Sequence, residues 1–204
     1  VSYAFSNDTA LARVLLAIAP SAGNTVPVWK STTGGSWGTG SNWDDGNVPN
    51  GAGVTPLFGL SIASPATVTL DATRTVGGLT FNNASYGYTL SGGALAFSTS
   101  GSTPTVSVLS GTHTLDTPLT GASGLSVSNA TGAVLILGSN AVANAALSLA
   151  AGTVELQGSA AVNGTAALAA SATLRASGAN TAVGTLSGAD ASAIELSGSA
   201  PKLT

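Results

Sequence analysis

Apolar residues recur along this chain as short apolar–x–apolar triplets separated by Gly, Ser and Asn. Val68-Thr69-Leu70, Leu79-Thr80-Phe81, Tyr88-Thr89-Leu90, Leu95-Ala96-Phe97, Val106-Ser107-Val108 and His113-Thr114-Leu115 begin the series. Leu125-Ser126-Val127, Val134-Leu135-Ile136, Leu147-Ser148-Leu149, Val154-Glu155-Leu156, Leu174-Arg175-Ala176 and Ile194-Glu195-Leu196 continue it. Alternation with period two marks a strand with one buried face, and the intervening turn residues end each strand after a few positions. The triplets that start at Val134, Val154, Leu174 and Ile194 are evenly spaced and form one strict track. A second series, Leu125, Leu147, Leu168 and Leu186, steps by 22, 21 and 18.

A repeat of about 20 residues built from short strands predicts a solenoid, in which each coil buries its apolar face only by stacking on its neighbours. Successive coils then pair as parallel strands about 4.8 Å apart, so seven coils after residue 60 give a rod of about 35 Å. The rival is a sandwich of antiparallel hairpins, which also places short strands every 8–12 residues. The central residues of the strict track separate the two. Val134, Val154, Leu174 and Ile194 are expected inside and stacked, with Leu135, Glu155, Arg175 and Glu195 outside. Glu155, Arg175 and Glu195 then form a ladder of alternating charge, which stabilises adjacent strands; in a sandwich their spacing is accidental.

The expected fold is therefore all-β: a right-handed parallel β-helix (β-solenoid), since parallel crossovers are overwhelmingly right-handed, with a short N-terminal helical and Trp-rich cap. Residues 1–58 form the capping segment and residues 59–204 one continuous run of coils. Within the first part, Ala10 to Ala19 read as a helix, with Asn7, Asp8 or Thr9 as N-cap and Pro20 as stop. It is too short to span a bilayer. Its apolar run resembles a signal-peptide core, but no basic segment precedes it, and it is read as closing a solenoid end or inserting into a neighbouring subunit. Val1 at the start and Pro201-Lys202-Leu203-Thr204 at the end point to a processed chain or a piece of a longer one.

Residues 21–58 hold all three tryptophans, Trp29, Trp37 and Trp43, and the only adjacent acids, Asp44 and Asp45. Exposed and coplanar, the rings make a stacking platform for sugars flanked by Asn42, Asp44 and Asp45. Buried, they close the first coil with large apolar area. Trp29 to Pro49, with Gly34-Gly35, Trp37 and Asn42-Trp43, then Val68-Thr69-Leu70, Val76-Gly77-Gly78-Leu79-Thr80-Phe81-Asn82-Asn83 and Tyr88-Thr89-Leu90-Ser91-Gly92-Gly93, resemble the autotransporter-associated β-strand repeat proteins. The resemblance covers roughly residues 28–97. It implies a large bacterial exported protein with a passenger similar to a parallel β-helix, and it carries over no catalytic residues. No run of ten-residue amphipathic strands follows the repeats, so the membrane barrel of self-secretion is not assigned.

Composition narrows the function. Charged residues make up 6% of the 204 residues, the net charge is −3, and there are 27 Gly and no Cys. So weak and slightly acidic a charge gives no footprint for nucleic acid. Without Cys there are no disulfides, thiolate metal sites or cysteine nucleophiles. Asp44 and Asp45 are neighbours in an extended chain and face opposite ways, so they suit turn capping better than paired acid–base catalysis; a lone Ca²⁺ held by the two with backbone carbonyls stays open. His113 is the single histidine, three positions before Asp116. Gly34-Gly35-Ser36-Trp37-Gly38 matches Gly-x-Ser-x-Gly but lacks the strand before and helix after that a nucleophile elbow needs.

The expectation is a non-enzymatic, exported structural or adhesive solenoid, secreted or on a bacterial cell surface, with no cofactor and no metal. Its partners are expected to be further copies, as a homo-oligomer or filament stacked end to end, or cell-surface and matrix components. The alternative is a carbohydrate-binding or polysaccharide-processing β-helix module that uses the Trp/Asp stretch.

Overall fold

A computed structural model of the chain describes residues 26–121 and 124–197; the helix expected at residues 10–19 lies outside them. Seventeen strands form one sheet in which every strand–strand pairing is parallel, wound into about seven turns of about 21 residues. Among the described residues the helical content is one 3₁₀ turn, Gly40–Asn42, and a single antiparallel bridge joins Trp29 to Trp43.

Each turn contributes strands to three faces. On the first, Gly35, Val68, Leu90, Leu115, Leu137, Leu156, Ala176 and Leu196 stack in register. On the second, Leu95, Leu119, Ala143, Val162 and Val183 stack. On the third, Phe58, Phe81 and Val108 form one row, and Leu125, Leu147, Ala166 and Leu186 another. The inward rows are apolar because the space between three faces is closed to water, and each residue is covered by its counterparts one turn above and below.

The turns are not of equal length. Along the first-face row the step is longest from Gly35 to Val68, shorter from Leu90 to Leu115, shorter again from Val68 to Leu90, and shortest from Leu137 to Leu156. Core content follows the same course: Phe58, Phe81, Tyr88 and Phe97 fill the early turns, whereas Ala143, Ala160, Ala166, Ala172 and Ala176 fill the late ones. An interior packed to the density of an organic crystal fixes the cross-section by the volume it encloses, so a turn around aromatic rings needs more residues than one around methyl groups.

The strict track holds with one correction. Val154 pairs with Leu174 and Leu174 with Ile194 as expected, but Val154 pairs on its other side with Leu135, not Val134. Leu135 is buried and Ile136 takes the outward place beside Glu155. The strand Val134–Leu137 is apolar at all four positions, so alternation carries no phase there, and the intervening turn is one residue short. In the second series Ala166, not Leu168, joins the Leu147 row, while Leu168 pairs with Leu149 in the next inward row. Val28 bridges Leu57, Leu57 pairs with Thr80, and Gly35–Ser36 pairs with Val68–Thr69, which makes the Trp-rich segment the first described turn.

The outward ladder is formed. Arg175 reaches Glu155 at 3.3 Å and Glu195 at 2.9 Å. Partial burial pushes the Glu155 carboxyl up, but hydrogen bonds from Ser177, Gln157 and Arg175 outweigh it and hold the group below the usual carboxylate range. Thr67, Thr89, Thr114 and Ile136 precede Glu155 in the same row.

The corner from the third face to the first contains a tight turn that repeats. The amides of Ala133, Ala172 and Ser192 bond to the carbonyls of Ala130, Ala169 and Ala189, and the third residue of each turn has positive φ: Gly132 at 80°, Ser171 at 65° and Ala191 at 65°. Only the first is a glycine, and a Cβ there would meet nothing within 4 Å, so any cost of a side chain is conformational. Gly132→Ala is expected to destabilise by about 1 kcal/mol, and Ser171→Gly to stabilise by a few tenths to about 1 kcal/mol; urea unfolding midpoints at constant m-value check both.

Candidate functional site

The segment that sequence reasoning marks for chemistry is the Trp-rich first turn. Its chain folds back on itself: Lys30 N–H donates to the Asn42 carbonyl at 2.9 Å, Asp44 N–H to the Val28 carbonyl at 3.0 Å, and Val28 N–H to the Asp44 carboxylate at 2.9 Å. This pairing brings Trp29 and Trp43 together, and the 3₁₀ turn returns Trp37 beside them. All three tryptophans are 0% exposed. Their rings pack edge to face, with centroids 5.2 Å apart for Trp29–Trp43 and 5.0 Å for Trp37–Trp43, and all three lie within 6.1 Å of the Phe58 ring.

Burial of the rings corrects the sugar-platform reading: no ring face is open to stack on a ligand. The indole N–H groups point the same way. Trp37 Nε1 donates to the Pro49 carbonyl at 2.9 Å and Trp43 Nε1 to the Trp37 carbonyl at 2.8 Å, while Trp29 Nε1 is buried without a partner. Asn42 is half-buried and its Nδ2 donates to the Ser36 carbonyl at 2.9 Å. Asp44 and Asp45 are exposed, and their oxygens hold turn amides. Asp44 accepts from Val28 and Asp45, and Asp45 accepts from the Asn47 backbone at 2.9 Å and side chain at 3.2 Å. Those bonds from Asn47 keep the Asp45 carboxyl below its usual range. Among the described residues no group of three or more His, Asp or Glu converges to hold a metal ion.

The Gly34-x-Ser36-x-Gly38 match is a packing feature. A Cβ on Gly34 would strike the Thr67 carbonyl, and one on Gly38 the Asp71 carboxylate, so both glycines permit close approach of the second turn. The segment leads into the 3₁₀ turn and not a helix, and Ser36 Oγ accepts from its own turn, the Gly38 amide at 3.1 Å.

His113 lies inside the solenoid. Its ring stacks on Phe81 at 4.8 Å and on Tyr88 at 5.8 Å, and Phe58 in turn stacks on Phe81 at 5.2 Å, so an aromatic column runs from the Trp layer to the fourth turn. Nδ1 accepts from the Tyr88 amide at 3.1 Å, which leaves Nε2–H to donate to the Ser110 carbonyl at 2.9 Å. Both nitrogens are engaged by main chain, and the ring is neutral. Asp116 is out of reach of any triad because strand alternation turns it outward, where it accepts from the Asn140 amide and side chain at 2.9 and 3.1 Å. Sequence reasoning missed the column; its one available signal is the pair Phe58 and Phe81, close to one repeat apart.

The chain is 33% identical, over an alignment of 172 residues that covers 73% of it, to the adhesin BmaC autotransporter of Brucella suis biovar 1 (strain 1330). The chain spans about 5% of the length of that curated relative. No family model and no solved structure matches it. In sequence and in solenoid fold it is similar to the passenger-like repeat proteins of autotransporters.

Two outcomes test the interior. Trp37→Phe and Trp43→Phe each strand a buried carbonyl and are expected to cost about 1–3 kcal/mol, and Trp29→Phe distinctly less because its N–H has no partner; equal losses in urea unfolding would contradict the assignment. The second concerns acid. Burial lowers the His113 pKa, so the unfolded chain binds the proton first and stability falls as pH drops below about 6.5, by at most about 1.4 kcal/mol per pH unit, until the folded value is passed. Tyr88, the titratable group packed on the ring, stays neutral there because burial raises its hydroxyl. Asp45, Asp71 and Glu155 are held below the usual carboxylate range, so they titrate lower. Unfolding midpoints between pH 7.5 and 5 should therefore decline in the parent and flatten in His113→Gln.

Proposed function

We propose that this chain is a segment of an exported, non-enzymatic adhesive or structural solenoid at a bacterial cell surface. The observation that carries the reading is a parallel β-solenoid whose sequence is related to an autotransporter adhesin. The outward rows supply the contact surface. Thr80, Ser107 and Ser128 stack on the third face, beside Thr105, Ser126 and Ser148. Thr67, Thr89 and Thr114 stack on the first. Hydroxyls in register at the strand spacing of about 4.8 Å form ladders of donors and acceptors that need no charge. A glycan partner would meet these rows and the exposed Asp44 and Asp45, not the buried rings. Asp44 and Asp45 accept from turn amides, Asp116 from Asn140, and Asp71, Glu155 and Glu195 pair with Arg74 or Arg175.

Association of copies end to end into filaments is the finer form of this reading, since the terminal turns of a solenoid are strand edges that can template further strands. Adhesion through hydroxyl ladders predicts contacts that survive salt, since screening weakens exposed charge pairs and leaves neutral hydrogen bonds intact. Display of the chain on the surface of a non-adherent bacterium should raise retention on host cells or matrix-coated surfaces, with little loss between low and high salt. Retention equal to that of undisplayed cells would count against the reading.

A further inference from the structure

The corner between the third and first faces carries two hollows of about 500 and about 370 Å³, the size of small-ligand sites. Tyr86, Gly87, Gly111 and Thr112 line the first, and Asn129, Thr131, Gly152, Thr153 and Ser171 the second. Gly132 lines both, which joins them into one groove across successive turns. A Cβ on Gly87, Gly111 or Gly152 would strike the main chain of a neighbouring turn, whereas at Gly132 it would meet nothing within 4 Å. The groove is therefore open at Gly132 and floored by close-packed backbone on either side. No charged residue lines it.

Two further features point to a ligand. Tyr86 is 39% exposed at one end of the groove, on a loop that is held in place. Asn83, itself 2% exposed, accepts from the Ser85 and Tyr86 amides at 3.0 and 2.9 Å and donates to the Gly59 carbonyl at 3.2 Å. At the other end Asn129 is 3% exposed and donates through Nδ2 to the Thr153 carbonyl at 2.5 Å, while its Oδ1 is buried without a partner among the described residues. A buried acceptor without a donor is uncommon in a folded chain, and a hydroxyl-bearing ligand in that hollow can supply one.

We infer that this groove binds an extended neutral oligosaccharide, with a sugar ring stacked on Tyr86. The inference goes beyond the adhesive reading and does not depend on it. An aromatic ring offers its apolar face to the C–H face of a pyranose, and the Ser and Thr hydroxyls suit its hydroxyls as donors and acceptors. Turns stack about 4.8 Å apart, close to the advance of one residue in an extended β-1,4-linked chain, so successive sugars meet equivalent positions. Phosphate and acidic ligands find no cation here. A peptide finds no strand edge to extend, since Thr112–Asp116, Val134–Leu137 and Thr153–Leu156, which leave the groove, are each paired on both sides. The competing account is that the hollows are only gaps left by glycine at a tight corner.

Calorimetric titration of the purified full chain with chitohexaose, cellohexaose and xylohexaose separates the two. At least one is expected to bind, equally at low and high salt. Tyr86→Ala should weaken that binding about tenfold, and Tyr86→Phe, which keeps the ring, should leave it within about twofold. Gly132→Asn tolerates the positive φ, places a side chain in the open groove and should weaken binding at least about tenfold. Parental far-UV circular dichroism in each variant shows that the fold is retained. Binding of none of the three sugars would overturn the inference. So would binding that both Tyr86→Ala and Gly132→Asn leave intact, or equal binding of an uncharged Gly/Ser peptide of matching length. Because the readout is sugar bound by the purified chain, its failure is distinct from failure of displayed cells to adhere.

Discussion

Stacking of one turn on the next is the interaction on which everything else in this chain depends. A single turn of about 21 residues has strands too short to bury anything alone; it becomes stable only when its main chain bonds to turns above and below and its inward side chains are covered by theirs. The parallel ladder therefore does two jobs at once. It satisfies the backbone polar groups that enclosure removes from water, and it sets the spacing that lets Val154, Leu174 and Ile194, or Glu155, Arg175 and Glu195, meet their own kind of neighbour.

The interior sets the shape. Rings of Trp29, Trp37, Trp43, Phe58, Phe81, Tyr88 and His113 fill the first turns and aliphatic side chains the rest, and turn length falls where the rings stop. The tryptophans belong to this account and not to ligand binding: two of the three N–H groups are spent on main-chain carbonyls of the same turn. His113 is likewise an interior residue, held as a neutral ring between main-chain groups.

With the interior absorbed by packing, chemistry is left to the outside, where hydroxyl rows predominate and the Glu155–Arg175–Glu195 ladder is a local exception. Such a surface offers hydroxyl rows repeated in register, and the adhesin to which the chain is similar is far longer than the chain.

Much of this was legible in the sequence, because a solenoid writes its geometry as a period. Triplets alternating apolar and polar, recurring at a nearly constant interval, determined the strands, their parallel stacking and the outward ladder, since residues one period apart in such a fold must be neighbours. The tertiary structure decided what a period cannot encode. Val134-Leu135-Ile136-Leu137 is apolar throughout, so only packing against Val154 and Leu156 could choose Leu135 and Leu137 as the inward pair. Trp29, Trp37 and Trp43 are amphipathic rings that suit a platform or a core equally well by composition. They became core because the antiparallel bridge between Trp29 and Trp43 folds the first turn over Phe58, a contact between residues that no local pattern connects.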